Sequence, residues 1–379
     1  MGTHRIMKVL RERILLLLAI KEKGRWIDFA HIFEKVARDE KGKVSPSEVN
    51  KTLHDLAEEN LIKEKNKRYA ITDKGREFLY SVLPDIEREL NLSYRLVLVA
   101  KRYYPKAARY ILPYLKDRAT SVVKIFSDEK DPINKIKPLF VRYARYKPKK
   151  VFIQINTEEE LLRYVAMHAI DFIPYVHRLN ADKPDWLILD LDAGSKFLHS
   201  ENFFDLIKIV AATVVDVLEE HGIDSCLKFS GSRGIQIWAC LDNSDLRGDV
   251  FALYRKFAVY IQRETEKNLQ KLPKEWLDKF YKIVAKGKPI TTSIVAKKEA
   301  RRDQILIDWS SMKRNGDVRA PFSIHYKTGL VSCPIERDKL REFTPDDAKA
   351  DNVIKKLEKL SRCFRLEPCS PEDLIRRIK

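Results

Sequence analysis

Apolar residues between positions 5 and 80 recur with a helical period three times and a strand period twice. Ile14–Ile20 lies in a first helix, and Ile27–Val36 carries apolar residues at helical spacing in a second. Ser45-Pro46-Ser47-Glu48 is a helix start, with a hydroxyl able to cap and a proline in the first turn. The helix it opens runs to about Asn60 with Val49, Leu53 and Leu56 inward. Residues 61–71 read as two short strands around a basic tip, and Thr72 caps another helix. Three helices and a basic hairpin describe a winged helix over residues 1–82. One helix would enter a DNA groove while Lys65, Lys67 and Arg68 of the tip meet backbone phosphates; the same module also docks proteins.

Residues 83–102 are amphipathic at helical spacing and read as a connector. Beyond Tyr103, helical stretches alternate with the strand-like runs Val151–Ile155, Trp186–Leu189, Ile235–Trp238 and Gln304–Ile307. The expected fold class is therefore α/β, a mixed-sheet catalytic core over residues 103–345 behind the winged helix. A tail of two helices follows at 346–379, the last opened by Ser370-Pro371-Glu372-Asp373.

Composition narrows the function. With 44% hydrophobic and 34% charged residues the chain buries a core and is not disordered. Its five cysteines form no CxxC pair, so neither a disulfide framework nor a structural zinc is expected. Ile14–Ile20 is the longest apolar run, far below the ~20 residues of a membrane span. Lys21-Glu22-Lys23 stands where a leader's cleavage site would be, so a cytoplasmic protein without membrane partners is expected. The net charge of +18 favours a polyanionic partner. It is concentrated between Lys101 and Lys150, with fifteen Lys/Arg against four Asp/Glu and interleaved aromatics. Arg142, Arg145 and Lys147 are the candidate DNA contacts there.

Three polar stretches beside strand-like runs hold five of the twelve glycines. In Leu187–Ser195, strand alternation sends Asp190 and Asp192 to one face, where two like charges invite a divalent cation with oxygen ligands, Mg²⁺ or Mn²⁺. In Lys228–Trp238, a turn with Ser230, Gly231, Ser232, Arg233 and Gly234 exposes N–H groups and hydroxyls suited to phosphate oxygens. The third stretch offers Asp308 at the end of an apolar run, then Arg319, His325 and Lys327 at a spacing that suits a triphosphate. Singly, these are compatible with a surface acidic pair, an ordinary hairpin turn and a structural histidine. Together, in a basic chain, they describe a two-metal nucleotidyltransferase.

Over roughly residues 100–345 the chain resembles the archaeo-eukaryotic primase superfamily. Tyr103-Tyr104, Ile111–Arg118, Val123-Lys124, Leu187–Gly194 and Leu306–Ser310 are similar to the polymerase domain of bacterial DNA ligase D. Phe229–Gly234 and Ala320–Gly329 are similar to the catalytic small subunit of replicative primases. The resemblance implies that Asp190, Asp192 and Asp308 are metal-binding catalytic carboxylates. It further implies that Lys124, Phe140, Ser230, Ser232, Arg233, Gly234, Gln236, Arg319, Ser323, His325 and Lys327 hold the incoming nucleotide. Departures are Gln236 where the superfamily usually has histidine, and Ile173 where ligase D has histidine before Pro174-Tyr175. No cysteine cluster lies between Asp192 and Ser230 to form the zinc knob of replicative small subunits.

The function implied is that of a stand-alone primase-polymerase, a template-directed addition of NTP or dNTP to a 3′-hydroxyl with release of pyrophosphate, acting on DNA template or primer. A gap-filling repair polymerase with an end-joining partner, and a primase small subunit with a large-subunit partner, are the alternatives. A catalytically idle DNA-binding regulator is a further one, opposed by the intact carboxylate triad.

Overall fold

A computed structural model describes residues 2–20, 26–39, 44–86, 92–126, 137–285, 287–294 and 303–378. The chain divides into two compact units. One comprises Met1–Pro105, Val123–Leu139 and Leu162–Ile170; the other comprises Lys106–Val122, Phe140–Leu161 and Asp171–Lys379.

The N-terminal segment runs α1 (Gly2–Ile20), β1 (Ile27–Asp28), α2 (Phe29–Asp39), α3 (Pro46–Glu58), β2 (Ile62–Lys65), β3 (Arg68–Ile71) and α4 (Asp73–Ile86). Strands pair antiparallel in the order β1–β3–β2. The second helical run of the sequence is thus split: Ile27 and Asp28 pair with Tyr69 and Arg68, and the helix begins at Phe29. Ser45 caps α3 in a full capping box with Glu48, and the Thr72 hydroxyl accepts from Gly75 N–H at 3.0 Å ahead of α4. Asn66 and Lys67 at the hairpin tip both have positive φ (52° and 57°), the geometry of a two-residue hairpin turn. Lys65, Lys67 and Arg68 are exposed there.

Next come α5 (Leu92–Leu115), β4 (Thr120–Phe126), β5 (Lys137–Val141), β6 (Tyr143–Arg145), β7 (Val151–Phe152), α6 (Glu158–Ala166) and β8 (Ala169–Pro174). Residues 87–91 of the connector lie outside the described residues; the flanking parts belong to α4 and α5. No helix among the described residues is long and apolar enough to cross a membrane.

The remaining elements are β9 (Trp186–Ala193), α7 (Ser195–Leu198), α8 (Phe203–Glu220), β10 (Cys226–Phe229), β11 (Ile235–Leu241), α9 (Val250–Leu269), α10 (Lys274–Tyr281), β12 (Thr291–Thr292), β13 (Ile305–Asp308) and β14 (Pro334–Ile335). They end with α11 (Ala350–Ile354), α12 (Leu357–Cys363), β15 (Pro368–Cys369) and α13 (Glu372–Ile378). A sheet runs β12–β13–β9–β11–β10–β14, with β15 added parallel to β11. One face, with Leu189, Leu191, Ile237 and Phe229, is apolar and buried; α8 packs on it, Phe204 meeting Phe229 edge-on at 5.8 Å. At one end of the other face, Trp186, Trp238, Tyr114 and Phe364 pack together, and the Tyr114 hydroxyl donates to Phe364 O at 2.6 Å. Each such buried ring contributes about 2–3 kcal/mol of apolar burial. The expected two-helix tail is instead three short helices and a strand, and Phe364 and β15 join it to the sheet.

Candidate active site

The uncovered end of that second face carries the carboxylates. β9 is flanked by antiparallel partners on both sides. Asp190 stands opposite Gln236 of β11 and opposite Asp308 of β13, while Lys228 of β10 stands opposite Gln236. Directly opposed residues share a face with Cβ atoms ~4.5–5.5 Å apart, so Lys228, Gln236, Asp190 and Asp308 form one row across four strands. Asp192, two residues along β9, shares that face on the diagonal from Asp308, a longer ~7–8 Å neighbour distance.

Hydrogen bonds fix the row. The Gln236 amide donates from Nε2 to Asp190 Oδ2 at 2.9 Å, and Trp238 Nε1 donates to Gln236 Oε1 at 3.3 Å. The indole thus dictates which end of the amide points at the carboxylate. Asp308 Oδ1 accepts from Ser310 N–H at 2.6 Å. Neither Asp190 nor Asp308 has an ion-pair partner among the described residues. Burial, followed by the Asp192 charge, pushes the Asp190 carboxyl up to about 7, against the Gln236 hydrogen bond, with Asp308 raising it further. Lys228 is fully buried and donates to Ser332 Oγ at 2.6 Å, with its ammonium 5.1 Å from the Trp238 ring centroid. Burial, and then Arg319, pull its pKa well down.

A cavity of about 300 Å³ opens over the row, lined by Asp190, Gln236, Asp308, Ser310, Lys313 and Asp317 among others. Among the described residues no three His, Cys, Asp or Glu side chains are gathered closely enough to hold a metal ion as they stand. The donor set nevertheless fits a hard divalent cation. It is all oxygen, two carboxylates are directly opposed, and the raised Asp190 pKa records a charge that a cation would neutralise.

The two phosphate-candidate stretches meet beside the row. Gly231 has φ 90°, and a Cβ there would come within 2.8 Å of His325 Cβ. The Thr328 hydroxyl donates to Gly231 O. Ser230 Oγ accepts from Gly234 N–H (3.1 Å) and Ser232 N–H (3.4 Å), so part of the turn's donor capacity is used within the turn. Arg233 and Lys327 are exposed. His325 is buried, its Nδ1 accepts from Lys327 N–H at 3.1 Å, and burial, then Arg319, depress its pKa to about 4. It is neutral, with Nε2 left as its donor.

Three residues expected to touch nucleotide make hydrogen bonds within the protein. Arg319 Nε lies 2.9 Å from each oxygen of the fully buried Asp171, and its NH1 donates to Ser230 O at 3.0 Å. Ser323 is fully buried, donates to Asp171 (3.0 Å) and accepts from Phe172 N–H (2.8 Å). Gln236 is committed to Asp190. A buried polar group must be paired: Asp171 takes the donors of Arg319 and Ser323, and Asp190 takes that of Gln236.

Phe140 is 50% exposed and meets Tyr326 edge-on at 5.3 Å, while Tyr326 stacks on His325 at 5.4 Å. Lys124, in the first unit, is half-buried beside Tyr164 (5.1 Å to the ring centroid) with its pKa lowered by burial. Arg142, Arg145 and Lys147 are exposed, Arg142 lying 3.7 Å from Asp317 of the cavity wall. The sequence reading passed over Asp171, Lys228, Trp238, Asp317 and Tyr326. Asp171 had a usable signal, a carboxylate inside an apolar run like that of Asp190; Lys228 depends on strand register and had none.

Residues 99–364 match the family described as LigD, primase-polymerase domain. The polymerase domain of ligase D from Mycobacterium tuberculosis, solved in complex with DNA, is similar in fold at a TM-score of 0.52 and 17% identity, over 70% of this chain and 92% of that one. No curated protein matches the sequence.

Proposed function

The chain belongs to the LigD primase-polymerase family and is a template-directed DNA nucleotidyltransferase; we propose that Asp190, Asp192 and Asp308 form its catalytic centre. The observation that carries this is the register, which sets Asp308 against Asp190 with Asp192 on the same face beside an open cavity.

These carboxylates would hold Mg²⁺ or Mn²⁺, with DNA and an NTP or dNTP as the other ligands. Bound there, the cation supplies charge neutralisation at the triphosphate and a lower pKa for the primer 3′-hydroxyl. Gln236 and the Ser310 amide orient the carboxylates, so that their lone pairs are placed before substrate arrives. Arg233 and Lys327 supply positive charge for the phosphates, and neutral His325 adds a donor from Nε2. Phe140 with Tyr326 offers a face for the base. Arg142, Arg145 and Lys147 track the template.

The N-terminal segment is read as a winged helix whose Lys65, Lys67 and Arg68 grip duplex phosphates. That favours extension of a primer beside a duplex, as in gap filling, over initiation on bare single strands. The chain's five cysteines, all free, suit the reducing cytoplasm.

Primer extension on a labelled primer-template with Mn²⁺ tests the centre. Asp308→Ala and Asp190→Ala should each lose at least ~10³-fold in incorporation, with unchanged circular dichroism. Incorporation by Asp190→Ala at near the parent rate would reject the assignment.

A further inference from the structure

Helix α9 has an unbalanced charge pattern. From Val250 to Arg263 it carries Arg255, Lys256 and Arg263 and no carboxylate; its first acids are Glu264 and Glu266. Positions 255, 256, 259, 260 and 263 fall on one side of the helix, opposite the buried Phe257, Ala258 and Ile261. That side lines a cavity of about 560 Å³ completed by Arg377 and Ile378 of α13. Asp373 of α13 pairs with His221, which in turn lies 3.3 Å from the Tyr260 hydroxyl, so the wall is anchored to α9.

Four cations therefore line the cavity and no carboxylate does. Lys256 and Arg263 are exposed and have no ion-pair partner among the described residues. Arg377 lies 3.8 Å from Asp373, and Arg255 lies 3.7 Å from Asp249. Arg255 also donates to Met312 O at 2.8 Å. Met312 sits between Ser311 and Lys313, which line the catalytic cavity. The stripe thus begins at the wall of the catalytic cavity and leads along α9. An ordinary solvated helix face gains from pairs of opposite sign three or four apart, as Lys267 does with Glu264 further along α9; this part forgoes them.

We propose that the α9 stripe, with Arg377, binds the phosphates of a DNA strand whose end occupies the catalytic cavity, a placement that rests on the reading of that cavity given above. From Arg255 to Arg263 the helix rises ~12 Å, enough for about three phosphates at ~3.4 Å per nucleotide of one strand.

The test is fluorescence anisotropy of the full chain with a short and a long labelled single-stranded oligonucleotide across a salt series. Lys256→Ala with Arg263→Ala should reduce the slope of log affinity against log salt by ~1.4 on the long strand and leave the short strand unchanged. Lys267→Ala with Lys271→Ala removes the same net charge elsewhere and should leave both slopes unchanged. An unaltered slope in the first pair, or an equal fall in both pairs, overturns the proposal. Lys256→Gln with Arg263→Gln repeats the measurement should the alanine pair melt at a lower temperature. Binding is read without nucleotide or metal, so a failed carboxylate assignment would leave this result standing.

Discussion

Asp171 and Asp190 both interrupt apolar strands, and their surroundings differ in kind. Asp171 is wholly buried, with Arg319 on both oxygens, the Ser323 hydroxyl at 3.0 Å and the Tyr326 amide at 3.4 Å. Asp190 is half-buried, receives the Gln236 amide, and shares its face with two further carboxylates. A buried carboxylate whose lone pairs are filled by donors is framework: it locks Arg319, and through Arg319 the carbonyl of Ser230, in place. One set among like charges stores an electrostatic cost that only a cation from outside relieves. Identical chemistry thus meets two environments, one filled by donors and one facing an open cavity.

The sharpest way to break the comparison is the same substitution at both positions. Asp171→Asn should cost about 3–5 kcal/mol of stability, because a largely buried Arg319 loses its counter-charge. Asp190→Asn should melt no lower than the parent while losing incorporation. Equal destabilisation in thermal melts would erase the distinction.

A second effect separates them by pH. The Asp190 carboxyl rises from 3.8 to about 7 in the folded chain, so its ionisation opposes folding. Its stabilising contribution is complete below about pH 4 and is lost as pH climbs through about 7, on the order of 4 kcal/mol in metal-free buffer. Mn²⁺ should therefore raise the melting temperature more at pH 8 than at pH 6, and Asp190→Asn should abolish that difference. A wild-type pH profile matching that of Asp190→Asn would contradict the cause assigned here.

The smallest effect concerns Gln236. Its amide favours the ionised carboxylate, so Gln236→Leu should move the Asp190-dependent step in those melts upward by about one pH unit. A step that stays put would show that the amide does not orient the carboxylate.

That Asp190 and Asp192 share one face was legible in the sequence because they alternate with apolar residues along a strand-like run. The N-terminal hairpin was legible for a similar reason: Asn66-Lys67 between two short runs is turn chemistry. What escaped depended on register or on distant pairing. The pairing of Arg319 with Asp171 was hidden because the two lie 148 residues apart, and nothing in Ala169–Pro174 announces which cation will reach it. The bond from Gln236 to Asp190 was hidden because the sequence does not say that β11 lies beside β9 with Asp190 opposite. In the tail, β15 is two residues long, too short to carry a period.

Gly234 has a consequence of another sort. A Cβ there would stand 2.5 Å from Leu191 O, on the very strand that carries Asp190 and Asp192. Backbone therefore rests directly on backbone between the turn and the carboxylate strand, and no side chain can act as a shim between them. Their separation is a constant of the architecture, open to change only by insertion or deletion of residues. Adaptation to substrates of different size is then forced onto the loop from Arg319 to Gly329 and onto the aromatic pair Phe140 and Tyr326, where side chains do set the clearance.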